Sequence, residues 1–289
     1  MSAQRFSFDH YLATIGASNF ALGLFSVIYP WLIIGVLQES PSRLGLAQMA
    51  LLLPNLLFIL PGGVVSDRSH RGSWLSLLYV LYLLPIGILA SAILTDQLSF
   101  PLLLICGMTF GTVSAFVQPT RESLLGYAAP NLMHQAVAKV VMVQFIAQGI
   151  GFAATGLMES TGLTLLLSLQ MVAFVASSFL IKRSHPRPLI SQKETVKLRQ
   201  PLTELREGLQ LFIDNKALLH LVILTFATGA LAFGVYLVGM PLIAKQAYGG
   251  SVQLYAGMQV MFTFGVISAN FRVMKRDKMF NRPGRLIII

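Results

Sequence analysis

Apolar residues fall in long unbroken runs along this chain, and the polar residues between them come in short clusters. The runs do not alternate with period two, and each reaches the ~20 residues that an α-helix needs to cross the hydrocarbon of a bilayer. The pattern predicts eight spans, Tyr11–Leu37, Leu44–Ser66, Ser73–Leu94, Leu98–Gln118, Gln135–Met158, Leu163–Ile181, Ala217–Ile243 and Leu254–Phe271. Strands of an outer-membrane barrel would be ~10 residues long and alternating, so the expected fold class is all-α integral membrane.

The interval between spans six and seven differs from the short turns elsewhere. Lys182, Arg183, Arg187, Lys193, Lys197 and Arg199 lie among prolines and serines there, the composition of a linker. After Pro201, the residues Leu202, Leu205, Leu209 and Phe212 recur at helical spacing, with Glu204, Arg206 and Glu207 on the other face. That pattern predicts an amphipathic helix lying on the membrane surface. The chain therefore divides into a six-helix N-terminal transmembrane domain (1–181), a linker with an amphipathic helix (182–216), and a partial C-terminal transmembrane domain (217–289).

Composition agrees with a bilayer protein. The 289 residues are 55% hydrophobic and 11% charged, with a mean hydropathy of +0.71, too apolar to be hidden in one soluble core. A net charge of +10 would suggest nucleic acid if it formed one patch, but it is sorted by loop instead. With the N-terminus inside, all but two of the 21 Lys and Arg residues share one side, and only Arg43 and Lys245 lie opposite. This is the positive-inside bias. It implies a multi-pass protein of the cell membrane, a bacterial inner membrane, with a cytoplasmic N-terminus, the lipid bilayer as its first partner, and no nucleic-acid partner. The single cysteine, Cys106, lies in an apolar run and excludes an intrachain disulfide. A membrane-embedded enzyme would need His, Cys, Asp or Glu clustered at membrane depth. The spans lack such clusters, so no metal, cofactor or catalytic residue is expected.

Three polar motifs interrupt the apolar pattern. The first is Gly63-Val64-Val65-Ser66-Asp67-Arg68-Ser69-His70-Arg71-Gly72, where an acid at a helix C-terminus opposes the macrodipole by ~0.3–1 kcal/mol and so calls for a partner. The others are Phe116-Val117-Gln118-Pro119-Thr120-Arg121-Glu122, placed after span four, and Leu205-Arg206-Glu207-Gly208-Leu209 before span seven. A weak repeat relates Ser42-Arg43-Leu44-Gly45-Leu46-Ala47-Gln48 at span two to Ser251-Val252-Gln253-Leu254-Tyr255-Ala256-Gly257 at span eight. Together these features resemble the major facilitator superfamily of membrane transporters, in particular the drug and siderophore exporters related to the enterobactin exporter and macrolide efflux proteins.

The resemblance implies a secondary active exporter of small amphipathic molecules, working by alternating access between two six-helix halves, with protons a candidate coupling ion. It assigns a conformational latch to Gly63, Asp67, Arg68, Arg71 and Arg121, in which Gly63 admits a neighbouring helix and Arg121 pairs with Asp67. Span five presents Gly149, Gly151 and Gly156 as a small-residue packing face toward span eight, where Gly265 is a counterpart. A candidate substrate cavity comprises Asn19, Tyr29, Thr112, Gln144, Gln148, Tyr236 and Gln259. Antiporters of the superfamily carry a Gly-Pro pair where this chain reads Gly151-Phe152, which counts against proton antiport. Arg285-Leu286-Ile287-Ile288-Ile289 aligns with the start of span three, so the second half is expected to be incomplete and to stop within a ninth helix. A non-transporting membrane protein that keeps the fold is the alternative expectation.

Overall fold

The computed structural model describes residues 7–128, 133–184, 216–246 and 250–274. Every regular element among them is helical. Eight helices are long and apolar enough to cross a membrane: Phe8–Val36, Pro41–Ser66, Arg71–Leu94, Phe100–Gly126, Ala136–Thr155, Leu163–Ser184, Leu219–Gln246 and Val252–Ala269. These are spans one to eight in the expected order, with ends shifted by a few residues. The amphipathic helix expected at Leu202–Phe212 and the stretch Arg285–Ile289 lie outside the described residues. Below, the membrane face at which span one begins is the near face and the opposite one the far face.

Local chemistry explains the breaks. Span three consists of Arg71–Leu81 and Leu83–Leu94, joined at Tyr82, because Pro85 has no N–H to offer the carbonyl of Leu81. Span one ends in a π-helical turn, Leu32–Val36. Spans two and eight both begin at a serine N-cap, the device that satisfies an otherwise orphaned amide. Ser40 accepts from the Arg43 N–H at 3.4 Å, and Ser251 from the Leu254 N–H at 3.2 Å. The two helices start alike, but the cap equivalent to Ser251 is Ser40 and not the Ser42 that the repeat pairs with it. Span four is longer than expected. Its helix runs on to Ala128, so the motif Phe116–Glu122 lies inside the helix and not after it, with the Thr120 hydroxyl donating to the Phe116 carbonyl at 2.6 Å.

The chain separates into two compact units, Met1–Pro186 with Pro241–Ile289, and Arg187–Met240. In the first, span one is the hub. It packs against spans five and six and also meets span eight, while span two pairs with span four and span three lies on spans four and six. Between apolar helices in lipid no hydrophobic force favours one partner over another, so close packing decides. Spans two and four touch backbone to backbone: a Cβ on Gly111 would stand 1.9 Å from the Leu51 carbonyl oxygen, and one on Gly62 would stand 2.7 Å from that of Ala115.

An aromatic column fills the space around span one. Phe25 and Phe110 stack with ring centroids 3.7 Å apart, and Tyr82 lies 4.4 Å from Phe110 and 4.6 Å from Phe174. Spans one, three, four and six are thereby held on one set of rings. In the second unit, Phe233 meets Tyr236 edge to face at 6.4 Å.

Candidate functional site

The polar side chains that converge in the first unit do so where span eight meets spans one and five. Glycines set this meeting. A Cβ on Gly149 would lie 3.3 Å from Cγ2 of Thr263, and one on Gly156 would lie 3.5 Å from Cβ of Ala256. The small-residue face of span five thus meets span eight as expected. Two residues of that assignment fall elsewhere. Gly151 faces span one, where its Cβ would stand 2.4 Å from the Phe20 carbonyl oxygen, and Gly265 has no atom of the described residues within 4 Å of its Cβ position. Helical geometry accounts for Gly151: residues seven apart share a face, whereas residues two apart point about 200° away from each other. Thr263 and Ala256 are the counterparts that Gly265 was expected to provide.

At this meeting point lies a chain of hydrogen bonds. Gln259, buried in span eight, donates from Nε2 to the Tyr255 hydroxyl at 3.2 Å. The Tyr255 hydroxyl in turn donates to the Ser26 carbonyl of span one at 3.3 Å. Thr263 donates to the Gln259 carbonyl at 2.9 Å. Asn19, also buried, donates from Nδ2 to the Ile15 carbonyl in its own helix at 2.8 Å. On span five, Gln144 and Gln148 are half-buried and one helical turn apart, so their amides share a face. Neither amide has a hydrogen-bond partner among the described residues.

The remaining cavity candidates are placed differently. Tyr29 is buried at 1% exposure, with its hydroxyl 3.1 Å from the Leu103 carbonyl and 3.3 Å from that of Ala47. It ties spans one, two and four together toward the far face. Thr112 turns its hydroxyl back to the Met108 carbonyl at 2.8 Å, the usual outlet for a hydroxyl in a helix. Tyr236 belongs to the second unit. Phe25 and Phe110 are part of the aromatic column, while Phe116 lies with Phe58 and Trp74.

The latch motif is partly described. Gly63 has no atom of the described residues within 4 Å of its Cβ position, and among these residues it is Gly62 that admits a neighbouring helix. The two glycines differ by about 100° around the helix, which is enough to turn one from protein to open space. The helix of span two carries on through Asp67 to Arg68, and their side chains lie outside the described residues. Arg71 is the first helical residue of span three. Arg121 is half-buried, and its carbonyl accepts from the Tyr11 hydroxyl at 2.9 Å, which brings span four's near end against span one.

Several residues of the junction are not singled out by the sequence. Gly23 approaches the backbone of span five so closely that a Cβ would stand 2.4 Å from the Gln148 carbonyl oxygen. Lys245, near the end of span seven, donates its ammonium to the Ile34 carbonyl. For Tyr255 one signal does exist, since Pro30 stands four residues after Ser26 and must leave that carbonyl without its helical donor. Elsewhere, Gln170 is completely buried in span six with no hydrogen-bond partner on either amide atom. No group of three His, Cys, Asp or Glu residues able to hold a metal ion occurs among the described residues.

A family model described as the Major Facilitator Superfamily matches residues 12–289, nearly the whole chain. No curated protein and no solved structure matches it. Eight apolar membrane-length helices, short polar turns and this match agree: the chain belongs to the Major Facilitator Superfamily, a family of membrane transporters and not of enzymes.

Proposed function

We propose that the protein is a secondary active transporter that exports small amphipathic molecules, of drug or siderophore type, by alternating access. The observation that carries this is the pair Gln144 and Gln148. Two half-buried amides on one face of a membrane helix, without partners of their own, are costly in hydrocarbon unless a solute or water engages them. Asn19 and Gln259 are buried amides of spans one and eight, the two helices against which span five packs. Such a group of neutral donors and acceptors, set among apolar and aromatic side chains, suits an amphipathic solute and offers nothing to select a fixed charge. The motif resemblance to the siderophore and macrolide exporters supports the same substrate class.

In this proposal the division into 1–181, 182–216 and 217–289 separates the two moving parts and their linker. The near face, where nearly all basic residues gather, is cytoplasmic, and the membrane is a bacterial inner membrane. Gly63, Asp67, Arg68, Arg71 and Arg121 act as a conformational latch at that face. Protons are the candidate coupling ion, with Asp9 or Asp67 as the acceptor, although Gly151-Phe152 stands where antiporters of the superfamily carry a Gly-Pro pair.

Flux measurement in proteoliposomes tests the proposal. With an imposed proton gradient, a fluorescent amphipathic dye and a fluorescent macrolide are expected to move across the membrane, and Gln144→Leu with Gln148→Leu is expected to lower the flux at least tenfold. No gradient-dependent movement of either probe would overturn it.

A further inference from the structure

Among the carbonyls of span one that lack a helical donor, two are taken up by side chains from beyond the linker. The first is that of Ser26. Its partner in a regular helix would be the N–H of residue 30, which is a proline; the hydroxyl of Tyr255, from span eight, donates to it at 3.3 Å. The second is that of Ile34. In the π-helical turn that ends span one, the Leu37 N–H closes onto the Leu32 carbonyl and the Glu39 N–H onto that of Ile33, so no backbone donor among the described residues reaches Ile34. The ammonium of Lys245, from span seven, does.

By the charge pattern of the sequence Lys245 and Arg43 are the two basic residues expected on the far side, so the charge of Lys245 works against the topogenic rule and needs another reason to be there. A cation on the last carbonyls of a helix complements the negative end of its dipole. The other basic residue on that side, Arg43, is engaged at 2.6 Å by Glu39, four residues before it. Ser26 and Ile34 are about two helical turns apart along span one, so the two donors grip one helix at two heights, both in its far half. The Gln253 amide, 3.5 Å from the Glu159 carboxylate, adds a looser contact at the same face.

We infer that Lys245 and Tyr255 form a two-point clamp on span one that keeps the far face closed, and that opening this face requires both to leave their carbonyls. The inference rests on alternating access as the mode of action. Its physical basis is that a bare carbonyl in hydrocarbon is costly while a hydrated one is not. With the face closed, the two side chains satisfy the carbonyls; with it open, water does. States between satisfy neither, which makes the clamp two-state.

The test measures distance, independently of transport. In the full chain with Cys106→Ala, spin labels on Ser42→Cys and Gln246→Cys report the separation across the far face in nanodiscs. The parent is expected to give one short distance. Lys245→Met and Tyr255→Phe each are expected to move the distribution to longer distances, with Lys245→Arg restoring the short one. Pro30→Ala returns a helical donor to Ser26, so Tyr255→Phe in that background is expected to add nothing. Unchanged distances in both Lys245→Met and Tyr255→Phe would overturn the clamp, as would a full additional effect of Tyr255→Phe beside Pro30→Ala. Should the distances shift as expected while no probe is transported, the clamp stands and the transport proposal falls. Transport with unmoved distances would remove the clamp and leave the transport proposal standing.

Discussion

Spans one and two are neighbours in the chain and nearly equal in apolar character, yet 72% of span one's apolar window is buried in protein and 17% of span two's is. Each contains proline within the helix, Pro30 in one and Pro54 and Pro61 in the other. What separates them is the kind of residue that faces outward. Span one carries Thr14, Gly16, Ser18, Asn19, Gly23 and Ser26 along its length, whereas span two exposes Leu52, Leu53, Leu56, Leu57 and Leu60. Lipid is as apolar as leucine and gives leucine no reason to seek protein, while small and hydroxyl residues gain from close backbone approach and shared hydrogen bonds. In a bilayer the polar minority selects the hub helix.

The contrast can be broken most severely at a glycine. Gly23→Leu is expected to force spans one and five apart, since even a Cβ there would stand 2.4 Å from the Gln148 carbonyl oxygen. The expected loss is at least about 3 kcal/mol, the upper end for overpacking, read as a collapse of the monodisperse peak in size-exclusion chromatography. Gly45→Leu in span two, where a Cβ would meet nothing within 4 Å, is the matched control and is expected to leave that peak intact.

A smaller effect is expected from Tyr29→Phe. The ring stays stacked on Phe25, 5.1 Å between centroids, and only the hydroxyl that reaches the Leu103 and Ala47 carbonyls is lost. A cost of about 1 kcal/mol follows from removing one hydrogen bond between helices, seen as a modest fall in the melting temperature of the purified protein. Smallest of all, Leu56→Ala in span two removes a side chain that is 71% exposed and should change stability by no more than about 0.5 kcal/mol. A large destabilisation by Leu56→Ala would mean that this face of span two is covered by protein after all.

The order and approximate ends of the described spans are legible in the chain, and so is the serine that starts span eight, whereas span two starts at Ser40 and not at the expected Ser42. The junction is legible only in part. Residue type and spacing place Gly149 and Gly156 against span eight, but they group Gly151 with them although it faces span one. The motif points to Gly63 where the close approach is made by Gly62, and a tyrosine at membrane depth suggests a cavity residue where Tyr29 ties three spans together. Each of these differences concerns which of two nearby helical positions meets a partner, a choice of about 100° to 200° that the partner makes.

By itself, then, the sequence determined the eight helices of membrane-crossing length among the described residues and the membership in the Major Facilitator Superfamily. Hydrophobic length is a property of contiguous residues, and solvent by lipid rewards it wherever it occurs. Only the tertiary structure decided that Ser26 and Ile34 of span one are gripped by Tyr255 and Lys245. Pro30 announces an orphaned carbonyl, but which distant donor satisfies it depends on how helices more than two hundred residues apart are brought together.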